Sequence, residues 1–326
     1  MSGSLLVLLK NLLIFPKALW LARLARIWRA DHIHAHWALS TSTMAMIAGV
    51  IARVPWSFTA HRGDIVENNM LGVKLSSATF VRFISKSGLP LAQSIIKEKL
   101  PLTCHVIHMG VKLPENLSLK RKDVGECFTI ICPANLLPVK GHIYLLQAIA
   151  ALKGRRVQCR LLLAGSGPLS ISLRQQVNVL NINDRVVFLG QLSHHALLQL
   201  YLQRMVDLLV LPSVDLGDGH HEGIPVSLME AMAYGIPVIA TATGGIPELV
   251  SENNGILVPQ KNSVALADAI ERLLMDTDLL YRLALAGNQS VNVAFNAEDT
   301  VTELCKLIRN QNDTLFENPT SQDGLI

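Results

Sequence analysis

Charged residues are scarce in this chain of 326 residues, where Asp, Glu, Lys and Arg make up 17% against ~25% in an average domain. Half of the residues are hydrophobic, so a large core can form. The scarcity of charge indicates many buried strands or a surface that meets lipid. The formal net charge is only +4 and there is no dense run of Lys and Arg, which argues against a nucleic-acid partner.

Cysteine pairs of the kind that bind zinc or form disulfide frameworks are also missing. The five cysteines are odd in number and contain no Cys-x-x-Cys. They are Cys104, Cys127, Cys132, Cys159 and Cys305. This usage predicts reduced, mostly buried thiols in a cytosolic protein.

The N-terminal stretch lacks an uncharged apolar run of the ~18 residues that a membrane span needs, because Lys10 and Lys17 interrupt it. No small-residue cleavage site follows, so a secretory signal is not expected. From Lys17 to Arg29 the spacing predicts a helix. Its apolar side comprises Trp20, Leu21, Leu24, Ile27 and Trp28, with arginines opposite. Such a helix either packs on a sheet or rests on an anionic membrane surface.

Two carboxylates separated by seven residues, Glu222 and Glu230, enclose the most informative stretch. Gly223 and Ile224 precede Pro225, which fits the first position of a helix that begins near Val226. The helix formers continue to Tyr234, and Gly235 predicts the helix end. The sequence therefore predicts Glu222 in a loop before a helix and Glu230 within that helix.

This arrangement suits a phosphorylated sugar. The free N–H groups of a helix N-terminus hold phosphate, Gly223 allows close approach to the backbone, and the Glu230 carboxylate can accept two hydrogen bonds from a ribose diol. The alternative interpretation is a pair of solvated surface carboxylates.

Apolar runs alternate with helical segments along most of the chain. The predicted strands before Lys112 are 32–36, 56–60, 79–84 and 104–108. Those from Phe128 onwards are 128–132, 159–164, 186–189, 207–211, 236–240 and 256–258. Strands that alternate with helices predict parallel sheets covered by helices on both faces. The turn with Gly165 and Gly167 is weak evidence for a dinucleotide, because the third glycine of that fingerprint is missing.

Histidines follow two strands of the first half. His61 comes directly after the strand 56–60, and ligands of open α/β sheets collect outside the carboxyl ends of strands. His32, His34 and His36 alternate along the first strand, which would place them on one face. This array resembles a metal site, but no carboxylate or cysteine partner is placed beside it, so a metal is a minor alternative.

With these motifs in place, the chain resembles a bacterial family 4 glycosyltransferase (group 1) of the GT-B fold, of the exopolysaccharide or colanic-acid type. The resemblance covers about residues 31 to 308. The motifs that carry it are the Glu-x7-Glu stretch with its flank Thr243-Gly244-Gly245-Ile246-Pro247-Glu248-Leu249-Val250, Pro138-Val139-Lys140-Gly141-His142, Leu163-Ala164-Gly165-Ser166-Gly167-Pro168, Val187-Phe188-Leu189-Gly190, Ile33-His34-Ala35-His36 and Ser57-Phe58-Thr59-Ala60-His61.

The resemblance implies two Rossmann-like domains that face a cleft, and a retaining, metal-independent transfer of a sugar from a nucleotide-sugar to a glycan or lipid-linked acceptor, with no cofactor. Glu230 would bind the ribose, and Glu222 would lie at the donor sugar. The backbone of 223–226 would hold sugar hydroxyls and phosphate. Lys140 would neutralise the leaving diphosphate, and His61 would approach the donor sugar from the other domain.

One departure concerns Asn135, at a donor-site position where many family members carry arginine. An asparagine brings no charge, so Lys140 must stabilise the phosphates mainly alone, or Arg62 assists it.

Two alternatives to a glycosyltransferase stay open. One is a non-catalytic nucleotide-sugar binder. The other is a nucleotide-sugar 2-epimerase, for which Asp64 and Glu67 would be the acid and base.

The expected domain plan has a shortened acceptor-side domain over 1–115, a linker over 116–126 and a nucleotide-sugar domain over 127–290. A C-terminal helix over 291–310 would return to the first domain, and 311–326 would be a disordered tail. Because no strand with a glycine-rich loop precedes His32, the first domain is expected to be truncated. The expected location is cytoplasmic, at the inner face of the cytoplasmic membrane if the lipid interpretation holds.

Overall fold

The computed structural model describes residues 5–115, 117–119, 127–217 and 222–316, with side chains from residue 9 to residue 309. The chain divides into two compact units. One comprises Met1–His108 together with Glu298–Ile326, and the other comprises Met109–Ala297.

A parallel sheet of four strands forms the centre of the first unit. Its strands, in their order across the sheet, are β1 (Ile33–His36), β2 (Trp56–Ala60), β3 (Phe80–Phe83) and β4 (Cys104–Val106). Its helices are α1 (Leu5–Ile27), α2 (Ser40–Ala52), α3 (Arg62–Glu67), α4 (Leu71–Ser77), α5 (Gly88–Ile96) and most of α13 (Ala297–Phe316). Every residue of β2 and β3 is buried, as expected for inner strands of a parallel sheet. All four predicted strands are confirmed.

Helix α1 corrects the prediction for the N-terminal stretch. It begins at Leu5 rather than Lys17, and it packs against α2 rather than against a sheet. Its buried side is formed by Ala18, Ala22 and Ala25, whereas the side chains of Trp20 and Trp28 are exposed. The alternative in which the large apolar side packs on a sheet is therefore wrong, because it assigned the larger apolar residues to the core. Small residues let two helices approach closely, and here they provide the contact.

The second unit is built on a parallel sheet of six strands. The strands are β5 (Phe128–Pro133), β6 (Cys159–Ala164), β7 (Val186–Gly190), β8 (Leu208–Leu211), β9 (Val238–Thr241) and β10 (Ile256–Val258). The helices are α6 (His142–Gly154), α7 (Ser170–Val179), α8 (His194–Leu202), α9 (Val226–Ala233), α10 (Ile246–Leu249), α11 (Ser263–Met275) and α12 (Thr277–Ala294). All six predicted strands are confirmed, and both sheets are parallel as expected.

The strand order of this sheet is β10-β9-β8-β5-β6-β7. The chain therefore proceeds from β5 to one side through β6 and β7, and then returns to β8 on the other side. The loops that follow β5 and β8 diverge at this topological switch point, which is where open α/β sheets bind ligands.

Helix α9 forms close to where the sequence predicts it. Pro225 is the N-cap of the helix, with φ −70° and ψ 125°. The sequence predicts it at the first helical position, so relative to the helix it lies one position earlier than expected. Gly235 takes a left-handed conformation with φ +68° just after the helix, which other residues adopt only with strain. The predicted helix end at Gly235 is therefore confirmed.

Several parts of the expected domain plan fall outside the described residues. The linker over 116–126 is described only at 117–119. Residues 311–316 of the expected tail continue helix α13, whereas 317–326 are outside the described part. In the described residues the first sheet has four strands and the second has six. Truncation of the first domain itself stays a prediction.

Candidate active site

Lys140 and Glu222 meet at the carboxyl edge of the six-stranded sheet. Lys140 ends a short 3₁₀ turn, Pro138–Lys140, after β5, and Glu222 lies in the loop between β8 and α9. The Lys140 ammonium donates a hydrogen bond to Glu222 Oε1, and Ser213 Oγ donates to the same oxygen at 3.1 Å. Both charged side chains are mostly buried, at 21% and 13% exposure. A buried ion pair of this kind costs desolvation energy, so its place in a cleft suggests a chemical rather than a stabilising role.

The cleft beside this pair has a cavity volume of about 480 Å³. Its described lining comes from the loops after β5, β6, β7 and β8 and from the start of α9. The lining includes Asn135, Lys140, Gly165, Gln191, Glu222, Ile224, Pro225, Val226 and Ser227. The second unit thus brings together all of the donor-site residues predicted from the sequence except Glu230 and Gly223, and Gly223 adjoins Glu222 in the chain.

Two glycines allow these loops to pack closely enough to form the cleft. A Cβ on Gly165 would lie 2.0 Å from the Ala134 carbonyl oxygen. A Cβ on Gly141, which has φ +63°, would lie 2.0 Å from the Pro212 carbonyl oxygen. Any side chain at either position would push the backbone of a neighbouring loop away. Gly141 therefore keeps Lys140 next to the segment that carries Ser213.

The loop of Glu222 is supported from the flanking motif. The Gly245 N–H donates to the Glu222 carbonyl oxygen at 3.2 Å, and a Cβ on Gly245 would lie 2.9 Å from the Gly223 carbonyl group. Around Gly223 itself a Cβ would meet no atom of the described residues within 4 Å. Gly245 thus provides close packing behind the loop, and contact between a ligand and the Gly223 backbone stays a prediction.

Glu230, in helix α9, lines a second cavity next to this cleft. It lines a space of about 460 Å³ together with the segment 110–115, and Val226 borders both cavities. The Glu230 Oε1 atom is 2.6 Å from His194 Nε2. Burial raises the pKa of the Tyr201 and Tyr234 hydroxyls, and the Glu230 carboxylate raises it further. The carboxylate thus faces a partly apolar space next to the Lys140–Glu222 cleft, of a size that suits one portion of a larger ligand.

His194 and Ser213 are site residues that the sequence interpretation missed. His194 begins helix α8 shortly after β7, and Ser213 follows β8 by two residues. Both follow the carboxyl ends of strands of this sheet. Their position after predicted strands is the sequence feature from which both residues could have been predicted.

His61 belongs to the first unit, at the carboxyl end of β2. Its Nε2 atom lies 2.8 Å from His36 Nε2, and the Trp37 ring stacks on it at 4.1 Å. Burial, with the charges of His36 and Arg82, lowers the pKa of His61 to about 4. His61 is therefore a neutral imidazole at physiological pH. Its ring is held by stacking on Trp37 and by the contact between its Nε2 atom and His36.

His32, just before β1, and His34, within β1, contact hydroxyl groups rather than each other. His32 Nε2 and His34 Nδ1 each lie 2.7 Å from Ser57 Oγ, and His34 Nε2 lies 2.9 Å from Thr59 Oγ1. No group of three His, Cys, Asp or Glu side chains suited to a metal ion occurs in the described residues. The metal interpretation of this array therefore has no geometric support.

The two carboxylates considered for an epimerase differ in their surroundings. Asp64 is buried, and its Oδ2 atom accepts a hydrogen bond from the Ala38 backbone N–H. Burial raises the pKa of Asp64 to about 6. The side chain of Lys74, also buried, donates to the carbonyl oxygens of Ala38 and Leu39. Asp64 thus holds the loop after β1, and Glu67 is exposed at the end of α3.

Two parallel α/β sheets, with Lys140 and Glu222 in contact at the switch point of the second, fit the two Rossmann-like domains of the GT-B fold. The chain belongs to the glycosyl transferases group 1 family, whose model matches residues 119–289. This match and the structural similarities below confirm the GT-B fold that the sequence predicts.

Curated relatives are bacterial glycosyltransferases. A GDP-mannose-dependent alpha-(1-6)-phosphatidylinositol monomannoside mannosyltransferase of Mycobacterium tuberculosis is 31% identical over 58% of this chain and 49% of its own length. WcaL of Escherichia coli K12, whose name assigns it to colanic acid biosynthesis, is 34% identical over 63% of this chain and 50% of its own length. The chain therefore spans about half the length of these relatives.

Among solved structures, Anabaena HepE in complex with UDP and glucose is similar to this chain with a TM-score of 0.70. The two are 22% identical, and the match covers 90% of this chain and 81% of HepE. At this identity the similarity concerns the fold. Among the described helices of the chain, none is long and apolar enough to cross a membrane.

Proposed function

We propose that the protein is a retaining, metal-independent glycosyltransferase that moves a sugar from a nucleotide-sugar to a glycan or lipid-linked acceptor in cell-surface polysaccharide synthesis. The observation that carries the proposal is the Lys140–Glu222 pair in the cleft of a group 1 glycosyltransferase domain. The relatives in phosphatidylinositol mannoside and colanic acid synthesis support the two acceptor classes.

Lys140 would act on the leaving group. When the bond between the sugar and the diphosphate breaks, negative charge accumulates on the diphosphate oxygens. A fixed ammonium group in a partly buried cleft stabilises that charge without further reorganisation. Of the described residues that line the cleft, Lys140 is the only Lys or Arg, so it would carry most of this stabilisation. The backbone N–H groups of 223–226 at the start of α9 would add to it.

Glu222 would act at the donor sugar, and Glu230 at the ribose. The Glu222 Oε1 atom accepts hydrogen bonds from Lys140 and Ser213, and these contacts would hold the carboxylate beside the donor sugar in this proposal. Glu230 lies one helical turn and one cavity beyond Val226. A nucleotide-sugar has its sugar, diphosphate and ribose in that order, which fits two cavities that meet at Val226.

His61 of the first unit would contact the donor sugar as a neutral imidazole. Its lowered pKa suits a hydrogen bond to a hydroxyl group rather than a charge on the leaving group. We propose no metal and no cofactor beyond the donor. For the location we propose the cytoplasm, and a lipid-linked acceptor would place the enzyme at the inner face of the membrane.

The decisive experiment is a thermal-shift screen of the purified chain against nucleotide-sugars of different base and sugar. A true donor stabilises by mass action, by about 2.7 kcal/mol at a hundredfold excess over its Kd. The donor found in this way is then incubated with candidate lipid-linked and glycan acceptors. Release of nucleoside diphosphate only in the presence of an acceptor supports transfer. No stabilisation by any nucleotide-sugar contradicts the proposal.

A second candidate is a nucleotide-sugar binder without activity, which Asn135 favours because it brings no positive charge to the cleft lining. The variant Asn135→Arg separates the two. If the missing charge limits the reaction, this variant gains turnover, whereas a protein that lacks the reaction altogether binds the donor more tightly but releases no nucleoside diphosphate. Conversion of the donor sugar without an acceptor would instead identify a 2-epimerase.

A further inference from the structure

Helix α1 directs its small residues inward and its large apolar residues outward. Ala18, Ala22 and Ala25 are at most 4% exposed against α2, whereas Leu13 is 78% and Trp20 is 63% exposed. Among the described side chains, the other large apolar ones exposed on or just after this helix are Leu9, Leu12, Phe15, Leu19, Ile27 and Trp28. A surface helix of a globular domain normally shows the opposite distribution. The outward face of α1 therefore needs an apolar environment.

Four of the exposed apolar residues form a line along the helix. Leu9, Leu13, Trp20 and Ile27 are spaced by four, seven and seven residues, so at 100° per residue they project from one side of the helix. Lys10 and Lys17 lie about 80–100° to one side of this line, and Arg23 lies about 40° to the other. All three basic residues are exposed. Lys10 and Lys17 thus border the exposed apolar side, whereas Arg23 lies within it, between this line and Leu12 and Leu19. A helix that exposes large apolar and basic side chains together suits the plane of an anionic membrane surface.

Charge is also distributed unevenly along the chain, with an excess of basic residues in the N-terminal part that includes α1. The first 63 residues contain seven Lys and Arg and a single acidic residue, Asp31, so their net charge is +6. The remaining residues contain 22 basic and 24 acidic ones, a net charge of −2. The net positive charge of the protein therefore arises from its first 63 residues, which include α1. A membrane leaflet rich in anionic lipid attracts such a segment by about 1 kcal/mol per basic residue, which is on the order of fivefold in binding.

A second copy of the chain fits this face less well. Pairing two α1 helices along their apolar lines would bring the basic residues of one helix, Lys10, Lys17 and Arg23 among them, close to those of the other, with no acidic side chain in α1 to compensate. Like charges in such a contact repel each other. Anionic headgroups supply the missing negative charge, and the acyl boundary below them supplies the apolar environment. Tryptophan side chains such as Trp20 are enriched at that depth.

We propose that the outer face of α1 docks the protein on an anionic lipid bilayer, with the line from Leu9 to Ile27 in the headgroup–acyl boundary and Lys10, Lys17 and Arg23 against the headgroups. This surface belongs to the first unit, whereas the Lys140–Glu222 cleft belongs to the second, and the inference does not depend on the proposed sugar transfer.

The test is cosedimentation of the full chain with vesicles of phosphatidylcholine alone and of phosphatidylcholine mixed with phosphatidylglycerol. The chain should bind the mixed vesicles, bind the neutral ones far less, and dissociate at high salt because surface charge is screened. The triple variant Lys10→Gln, Lys17→Gln, Arg23→Gln should lose on the order of a hundredfold in binding to the mixed vesicles. The variant Leu13→Gln, Trp20→Gln should lose binding to both kinds.

Matched controls come from the second unit. Arg156→Gln, Arg160→Gln, Lys261→Gln removes three exposed positive charges, and Ile171→Gln, Val179→Gln removes two apolar side chains that are 74% and 77% exposed. Both should bind vesicles like the wild type. Three results would overturn the inference: equal binding to both kinds of vesicle, no binding to either, or a dimer in solution that Leu13→Gln, Trp20→Gln dissociates. A donor-induced thermal shift that persists in these cases leaves the proposed function intact.

Discussion

Lys140 and Glu222 are 82 positions apart in the sequence, yet the Lys140 ammonium donates directly to the Glu222 carboxylate. The pair forms because the loops after β5 and β8 leave adjacent strands at the same edge of the sheet. A phosphate that enters the cleft must therefore compete with Glu222 for the ammonium group. This relationship distinguishes the roles of the two residues in measurable ways.

Replacing Glu222 with glutamine should remove most of the transfer activity. We expect kcat to fall by roughly a hundredfold or more, because the carboxylate at the donor sugar is lost. The affinity for the nucleoside diphosphate should stay close to the wild-type value or rise, since Lys140 no longer has an ionic partner. Steady-state kinetics and calorimetry measure the two effects, with exposed Glu252→Gln as the control. Near-normal turnover would remove Glu222 from the mechanism.

Replacing Lys140 with alanine should weaken binding of the nucleoside diphosphate as well as turnover. A charge-assisted hydrogen bond to phosphate contributes ~1.5–3 kcal/mol, so the product should bind about tenfold more weakly or worse. Lys153→Ala is the matched control, because its ammonium group pairs with Asp184 at the surface and should not affect the product. If calorimetry finds the same affinity for UDP and GDP in both variants, the phosphates bind elsewhere.

Glu230→Gln should weaken nucleotide binding through the ribose rather than through the phosphates. The loss of a carboxylate that accepts two hydrogen bonds should cost on the order of tenfold in the affinity for UDP or GDP. Inorganic diphosphate, which has no ribose, should bind this variant as it binds the wild type. His194→Ala removes the present partner of the Glu230 Oε1 atom and should leave nucleotide affinity unchanged or raise it. Equal losses for diphosphate and nucleotide would contradict the ribose role.

His142 should make the second unit sensitive to acid. It is 1% exposed, neither ring nitrogen has a partner in the described residues, and burial together with the Lys140 charge lowers its pKa to about 4. Because the folded state disfavours the protonated ring, the unfolded chain binds more protons below pH 6.5. The contribution to stability is therefore complete above pH 6.5 and declines as the pH falls toward about 4.

The expected decline is up to about 1.4 kcal/mol per pH unit over this range. The free energy of unfolding, measured with urea, should fall between pH ~7 and pH ~5 in the wild type. In His142→Leu this fall should be smaller by about 2 kcal/mol. The exposed residue His195 provides the control variant His195→Gln, which should keep the wild-type pH profile. An unchanged profile in His142→Leu would mean that the ring finds a proton acceptor when it is charged.

The ten strands and helix α9 could be predicted because their signals are local. Buried parallel strands appear as continuous apolar runs, and Gly235 marks a helix end by its left-handed conformation. The order of the strands, and therefore the contact between Lys140 and Glu222, depends on which segments pair across the sheet. No local pattern determines that pairing.

Helix α1 could be predicted only in part. Its helical spacing could be predicted, but the choice of its buried side could not, because the sequence offers a large apolar side and a small one. The rule that large apolar residues enter the core gave the wrong answer here. Ala18, Ala22 and Ala25 allow a close approach to α2 that Trp20 and Leu13 would prevent.

The central position of β5 also has a consequence for how the protein folds. β6 follows β5 directly, but β8 must pair with the other side of β5 from a segment 78 positions away, as the hydrogen bond between Thr129 and Asp207 shows. Contacts between such distant segments form slowly. We therefore expect the Lys140–Glu222 cleft to assemble late in refolding, after the helices have formed. A nucleotide-sugar present during refolding would bind only completed molecules, and by drawing the equilibrium toward them it would raise the yield of folded enzyme.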